Sequence, residues 1–305
     1  MPHLGEGITL AVQLDIRARP LVILIVLLTL LAGEISAAAT TPFPGMRPFN
    51  LSVPTSYNRA IPEPLIIGLS GYNQTGADFE RYLNLEPLMN SSGILYVYPD
   101  GVKDSRRVRF WNGTPECCDF EYPKVDDDAY IMSIIDKVSA EYAVDPQRIF
   151  IIGHSNGGFL ASALACNHSD RIAAIVSMAG ASYTTAAACK ARSPISVLEI
   201  WGSKDPTFSG NHIRGRAIPG ALQIFNTWGA INQCSPITVS SPNSLDLDSK
   251  LPGPETTVTE FQQCPAGTAV DLWRIAGAGH NPKLSPNFDT QIINFLLAHP
   301  KPSSN

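Results

Sequence analysis

The chain has 305 residues, 44% of them hydrophobic and 16% charged, which is ordinary globular usage and unlike a disordered or fibrous chain. Its 22 Lys and Arg against 27 Asp and Glu give a net charge of −5, and with no long basic run to neutralise phosphates, nucleic acid is not an expected partner. The length supplies a sizeable core without forcing a second domain, so one domain behind a leader is expected.

The leader reads "RARPLVILIVLLTLLAGEISAAAT": Arg17 and Arg19, an uncharged apolar run over residues 21–32, then small residues at Ala37, Ala38 and Ala39. That order is a secretory signal, assigned to residues 1–39 with cleavage near Ala39. The apolar run falls short of the roughly 20 residues that cross a bilayer as a helix, and Glu34 stops its extension. The long segment before Arg17 keeps an uncleaved anchor as the alternative. The mature domain is then 40–305, extracellular and without stable membrane insertion.

The next stretch, "TTPFPGMRPFNLSVPTSYNRAIPEP", is rich in Pro, Ser, Thr and Asn and is expected to run extended over the surface or as an edge strand. Short apolar runs follow, bounded by turn residues: "LIIGL" (65–69), "ILYVY" (94–98), "RIFII" (148–152), "AAIVSMA" (173–179), "ISVLEIW" (195–201) and "VDLWRIA" (270–276). Runs so uniformly apolar suit strands covered on both faces. Between them lie stretches of helical period. In "DDDAYIMSIIDKVSAEY", Ile131, Ile134, Ile135, Val138 and Tyr142 share one side, and Asp126, Asp127 and Asp128 form an acidic first turn, read as solvated rather than metal-binding. Ser285-Pro286 opens the last helix as N-cap and first position, with Phe288, Ile292, Phe295 and Leu296 as its apolar face. "SPNSLDLDSKLPGPETT" (241–257) has no period and is expected to be an excursion or partial cover over the sheet's functional edge. The fold class is α/β, a mostly parallel sheet with helices on both faces.

In an oxidising compartment the six cysteines are disulfide candidates. Six thiols allow 15 pairings; Cys166 with Cys189 and Cys234 with Cys264 close short segments and are the expected pairs. The neighbours Cys117 and Cys118 are left to bridge each other, stay free or exchange partners. Asn-x-Ser/Thr sequons stand at Asn50, Asn73, Asn90, Asn112 and Asn167.

The chemistry centres on "IFIIGHSNGGFL" (149–160), where Gly153-His154-Ser155-Asn156-Gly157 fits the G-x-S-x-G nucleophile elbow. A nucleophile on a tight strand-to-helix turn needs small neighbours two residues away, and the flanks "RIFII" and "GFLASALAC" read as that strand and helix. Serine needs a base oriented by a carboxylate, in the order Ser, acid, His for such a turn. Asp205 in "VLEIWGSKDP" and His280 in "LWRIAGAGHNP" each follow a strand and satisfy that order. His212 is the rival base, lying too close behind Asp205; Asp271 and Asp289 are weaker rival acids. Oxyanion donors are expected from the backbone N–H of Asn156, at the start of a helix, and of Tyr72, in the "SGY" loop after "LIIGL".

These motifs carry a resemblance. "YPDG", "FWNG" followed by Cys117-Cys118, "VDDDAYI", "AEYAVDPQRIFIIGHSNGGFLA", "GSKDP" and "GAGH" occur in order and spacing over residues 65–299, and there the chain resembles the secreted esterase family of polyhydroxybutyrate depolymerase type, close to feruloyl and acetylxylan esterases. The resemblance implies an α/β-hydrolase fold, Ser155 as nucleophile, Asp205 as acid, His280 as base and no cofactor. Two stretches depart from the family. Ser70-Gly71 stands where His-Gly is usual in the oxyanion loop. Asn281-Pro282-Lys283 stands where Thr-Trp-Pro often follows the histidine, so an aromatic wall must come from elsewhere, with Trp201 and Trp111 as candidates. Without an appended binding domain, small-molecule or oligomeric esters are expected rather than crystalline polymer. The rival readings are a catalytically silent binding protein on the same fold and a peptidase using the same three residues.

Overall fold

Uniformly apolar runs demand cover on both sides, and the structure supplies it. The computed structural model describes residues 39–41, 46–118, 120 and 125–302. Apart from Ala39, the leader expected at 1–39 lies outside them.

In chain order the first strands are β1 (Ala39–Thr41), β2 (Phe49–Ser52), β3 (Glu63–Leu69), β4 (Leu95–Pro99), β5 (Val102–Lys103), β6 (Arg109–Phe110) and β7 (Val144–His154). They are followed by β8 (Ala174–Met178), β9 (Ser196–Gly202), β10 (Asn211–Ile213), β11 (Arg216–Ile218), β12 (Thr238–Leu245), β13 (Thr256–Phe261) and β14 (Val270–Ile275). Ten of these form one sheet in the order β1-β2-β4-β3-β7-β8-β9-β14-β13-β12. The six central strands, β4 to β14, run parallel. Antiparallel pairs finish both edges. β5 with β6 and β10 with β11 make two separate ribbons. Every residue of β3, β4, β8 and β9 is buried, which is why their sequences show no alternation.

The helices are α1 (Gly76–Leu83), α2 (Glu86–Ser92), α3 (Asp127–Glu141), α4 (Asn156–Asn167), α5 (Ala221–Ile231) and α6 (Phe288–Ala298). On one face Ile131, Ile134, Ile135 and Val138 of α3, Leu160 and Leu164 of α4, and Phe225 and Trp228 of α5 pack on Ile67, Ile149, Ile175 and Val197. On the other, Phe79 of α1, Met89 of α2 and Phe288, Ile292, Phe295 and Leu296 of α6 cover Ile66, Phe150, Val176 and Leu198. Large sheet, two helical layers and parallel centre make this an α/β-hydrolase fold.

Several expectations need correction. The aspartates of α3 are not simply solvated. Asp126 caps the helix by accepting from the Ala129 N–H, and Asp128 meets His168 Nε2 at 2.6 Å. The buried Asp127 pairs with Arg47 and accepts from the Asn112 N–H at 2.7 Å. Burial raises the Asp127 carboxyl even so. Ser285 does not cap the last helix, since its Oγ donates to the Asp246 carbonyl and α6 begins at Phe288. The stretch 241–257 is no cover: its first half completes β12, whose residues are exposed but for the half-buried Leu245 and thus carry no alternation, paired antiparallel to β13. Its second half braces the segment after His280 through a bridge of Asp248 to Leu284 and the Ser249 N–H on the Lys283 carbonyl.

Disulfides join Cys166 to Cys189, Cys234 to Cys264 and Cys117 to Cys118. Of the sequon asparagines, Asn73 and Asn167 are exposed, whereas Asn50, Asn90 and Asn112 are half-buried. The Asn112 amide already donates to the Val125 carbonyl.

Candidate active site

β7 delivers Ser155 and α4 starts immediately behind it. The turn forces Ser155 to φ 51° and ψ −117°, a conformation L-residues rarely hold without surrounding support. Support comes from its N–H, which donates to the Met178 carbonyl at the end of β8 at 2.7 Å. A Cβ on Gly157 would strike the carbonyls of Leu69 and Ser70, and one on Gly153 would strike the Gly157 carbonyl, so this turn admits only glycine at both positions.

Ser155 Oγ stands 2.9 Å from His280 Nε2, and His280 Nδ1 stands 2.6 Å from Asp205 Oδ2. Asp205 follows β9 and His280 follows β14, so neighbouring parallel strands bring them together. The second carboxylate oxygen of Asp205 accepts from the Thr207 N–H at 2.8 Å and its hydroxyl at 2.7 Å. Burial alone would raise the Asp205 carboxyl, but the hydrogen bonds from His280 and Thr207 outweigh it and hold the group below its ordinary value. The His280 backbone is anchored as well, its carbonyl lying 3.3 Å from His154 Nε2. Burial, then the neighbouring His280, lowers His154 to about 4, which keeps its ring neutral.

Asn156 is the first residue of α4, so its N–H has no helical acceptor and points with the helix dipole. Its side chain is clamped by Trp111, accepting from the Trp111 N–H at 2.7 Å and donating to its carbonyl at 2.9 Å. In the loop after β3 the N–H groups of Gly71, Asn73 and Gln74 are taken by Gln74 Oε1, the Arg109 carbonyl and the Gly71 carbonyl. The Tyr72 N–H has no acceptor among the described residues. At Ser70, Trp111 Nε1 donates to the carbonyl at 3.0 Å, and the Ser70 hydroxyl donates to the Gln74 carbonyl. Gln74 and Trp111 thus brace this loop.

A cavity of about 290 Å³ opens over Ser155 and His280. Its walls are Tyr72, Phe120, Phe159, Ile213 and Ile218 with the Cys117–Cys118 disulfide, and Arg214 and Thr207 stand among them. Trp201 and Trp111 are fully buried and supply no wall: the first reaches Glu199, the second Ser70. The aromatic surface comes from Phe159 and from Tyr72 and Phe120, the rings of the last two meeting edge-on at 5.8 Å. Of the walls, sequence reasoning singled out Tyr72 as an oxyanion donor and Cys117 and Cys118 as a possible bridge, but not Phe120, Phe159, Ile213, Ile218, Arg214 or Thr207; only the Asp-Pro-Thr turn signalled the last, as an Asp bonding two residues ahead. The rival base His212 lies exposed on the β10–β11 ribbon, Asp271 sits on β14 and Asp289 on α6. Among the described residues no cluster of His, Cys, Asp or Glu is arranged to hold a metal ion.

The fold and site define a serine hydrolase architecture of α/β type. The prolyl oligopeptidase family model matches residues 87–212. Feruloyl esterase B of Piromyces equi is 24% identical over 227 residues, covering 71% of this chain and 39% of that protein. Feruloyl esterase D of Neurospora crassa is 25% identical over 251 residues, covering 77% of this chain and 74% of its own. The solved acetyl xylan esterase from Aspergillus awamori superposes with a TM-score of 0.63 at 12% identity, over 86% of this chain and 97% of that one, a likeness of fold. The chain spans 42%, 39% and 30% of the first curated relatives it matches. Among curated proteins it is thus similar to feruloyl esterases.

Proposed function

We propose that the chain is a secreted serine esterase that hydrolyses carboxylic esters through an acyl-enzyme. The observation that carries the reading is the unbroken hydrogen-bond chain from Ser155 Oγ through His280 to Asp205, at the floor of a mostly apolar cavity. His280 Nε2 takes the Ser155 proton as Oγ attacks the ester carbonyl, and Asp205 holds the ring and stabilises the imidazolium. The oxyanion is received by the N–H groups of Asn156 and Tyr72. The tetrahedral intermediate collapses as His280 returns its proton to the departing alcohol. Water, deprotonated by the same nitrogen, then releases the acid and restores Ser155. No cofactor enters this cycle.

The substrates proposed are small or oligomeric esters of the feruloyl, acetyl or hydroxyalkanoyl class. Ser155→Ala should abolish turnover of short p-nitrophenyl esters and of a panel of those three acyl groups, with circular dichroism unchanged; retained turnover would remove Ser155 from the reaction. Secretion is supported by the N-terminal charge and apolar pattern and by three disulfides, which persist in oxidising compartments. Amino-terminal sequencing of secreted protein tests it. Of the sequons, Asn73 and Asn167 are exposed, and the Asn167 amide already donates to Asp128 Oδ2.

A second reading, a peptidase using the same residues, is favoured by the match to the prolyl oligopeptidase family over residues 87–212. Amides assayed beside the matching esters separate the two. A silent binding protein would leave Ser155 unlabelled by a fluorophosphonate probe.

A further inference from the structure

One guanidinium stands out in the cavity wall. Arg214 sits at the tip of the ribbon formed by β10 and β11, where Ile213 pairs with Arg216 across a two-residue loop of Arg214 and Gly215. Both loop residues have positive φ, 51° and 81°, the backbone signs of a type I′ hairpin turn. That turn favours Asn-Gly, and a long side chain at its first position is held there against local preference. Backbone placed in this way against preference collects at binding sites.

Arg214 lines the same cavity as Ser155 and His280, with its guanidinium 4.3 Å from the centre of the Phe120 ring. It makes no ion pair with a carboxylate among the described residues, in contrast with Arg47, Arg109 and Arg148, each of which has one. An arginine stacked on an aromatic face keeps the edge of its planar fork free for a carboxylate. Apart from this charge, Ser155 and His280 with Thr207 beside them, the lining is apolar and aromatic, so a single anionic group on an otherwise apolar ester is the complement of the cavity.

We propose that Arg214 is a specificity residue that binds a carboxylate carried by the ester substrate, placing the preferred substrates among acidic esters. The inference rests on the esterase reading above and names its substrate class. The guanidinium donates two N–H bonds to the substrate carboxylate and takes no part in bond breaking.

The test uses two pairs of esters on the full-length secreted protein. p-Nitrophenyl hydrogen glutarate against p-nitrophenyl pentanoate places the carboxylate on the acyl side; 4-acetoxybenzoate against phenyl acetate places it on the alcohol side. Arg214→Asn keeps the turn, since Asn suits positive φ, and removes the charge. In wild type, kcat/KM should favour the acidic member of at least one pair. Arg214→Asn should lower it for that member by about tenfold, the scale of one charged hydrogen-bonded contact, while the neutral ester changes less than twofold. Arg214→Lys should recover part of the loss, and the responding pair identifies the side. Equal loss on both members of each pair, or no loss on either, overturns the anion site while leaving the esterase intact. Wild-type turnover of none of the four esters overturns the esterase reading itself.

Discussion

Glu199 lies in the middle of β9, fully buried, and no positive group among the described residues acts on it. Trp201 Nε1 donates to it at 3.3 Å, and Ser177 and Trp228 also face the carboxyl. Burial pushes it from an ordinary value near 4.5 up to about 8, so at neutral pH it is a neutral acid. Between those two values the native chain keeps a proton that the unfolded chain has released. The associated stability is therefore complete below about pH 4.5 and is lost as pH rises through about 8. Each pH unit in the window costs ~1.4 kcal/mol, so by pH 7 the loss is about 3 kcal/mol and above pH 8 about 5 kcal/mol. Glu199→Gln has the shape of the protonated acid and no proton to release. Urea unfolding of both proteins, followed by tryptophan fluorescence at pH 4, 5.5, 7 and 8.5, isolates this group, because every other titration cancels in the difference. The variant should gain on wild type by about 3 kcal/mol from pH 4 to pH 7 and level off beyond pH 8. A difference that stays flat across the series would refute a neutral buried Glu199.

Asp205→Asn keeps the shape around His280 but removes the charge that holds its ring, and kcat for p-nitrophenyl acetate should fall by about 10⁴-fold. A normal rate would move the acid elsewhere. Gly157→Ala should impair both folding and turnover, since its methyl meets the Leu69 and Ser70 carbonyls that shape the oxyanion loop; thermal melts should report a loss of about 1–3 kcal/mol or more.

The parallel strands were legible because burial on both faces, complete in β3, β4, β8 and β9 and confined to the second half of β7, leaves mostly apolar residues, and the C-terminal ends of β7, β9 and β14 then pointed to Ser155, Asp205 and His280. β12 was illegible for the opposite reason: exposed almost throughout, it has neither an apolar run nor alternation to betray it. The aspartate run before α3 reads the same whether solvated or paired, because its partners, Arg47, Asn112 and His168, come from distant sequence. Trp111 and Trp201 were only candidates for the cavity wall, because a tryptophan packed in a core and one facing a ligand are chemically alike in sequence, and both lie in the core. Phe120, Ile213 and Arg214 lie in loops and a short ribbon, where no period marks which side chains turn inward.

This division has a mechanical consequence. Each residue of the proposed mechanism is fixed at the carboxyl end of a parallel strand: Tyr72 after β3, Ser155 after β7, Asp205 after β9 and His280 after β14, with β8 holding the Ser155 N–H through Met178. Their spacing is set by sheet geometry and by two packed helical layers, so it resists change in any one connection. Besides Tyr72 and Phe159, the walls come instead from the segments between β4 and α3 and between β9 and α5, which contribute Cys117, Cys118 and Phe120 on one side and Thr207, Ile213, Arg214 and Ile218 on the other. Substitutions in the strands should therefore alter turnover of all esters together. Those in the two connecting segments should reorder preference among esters while the reacting groups keep their distances, because only there does the cavity change shape without moving Ser155 against His280.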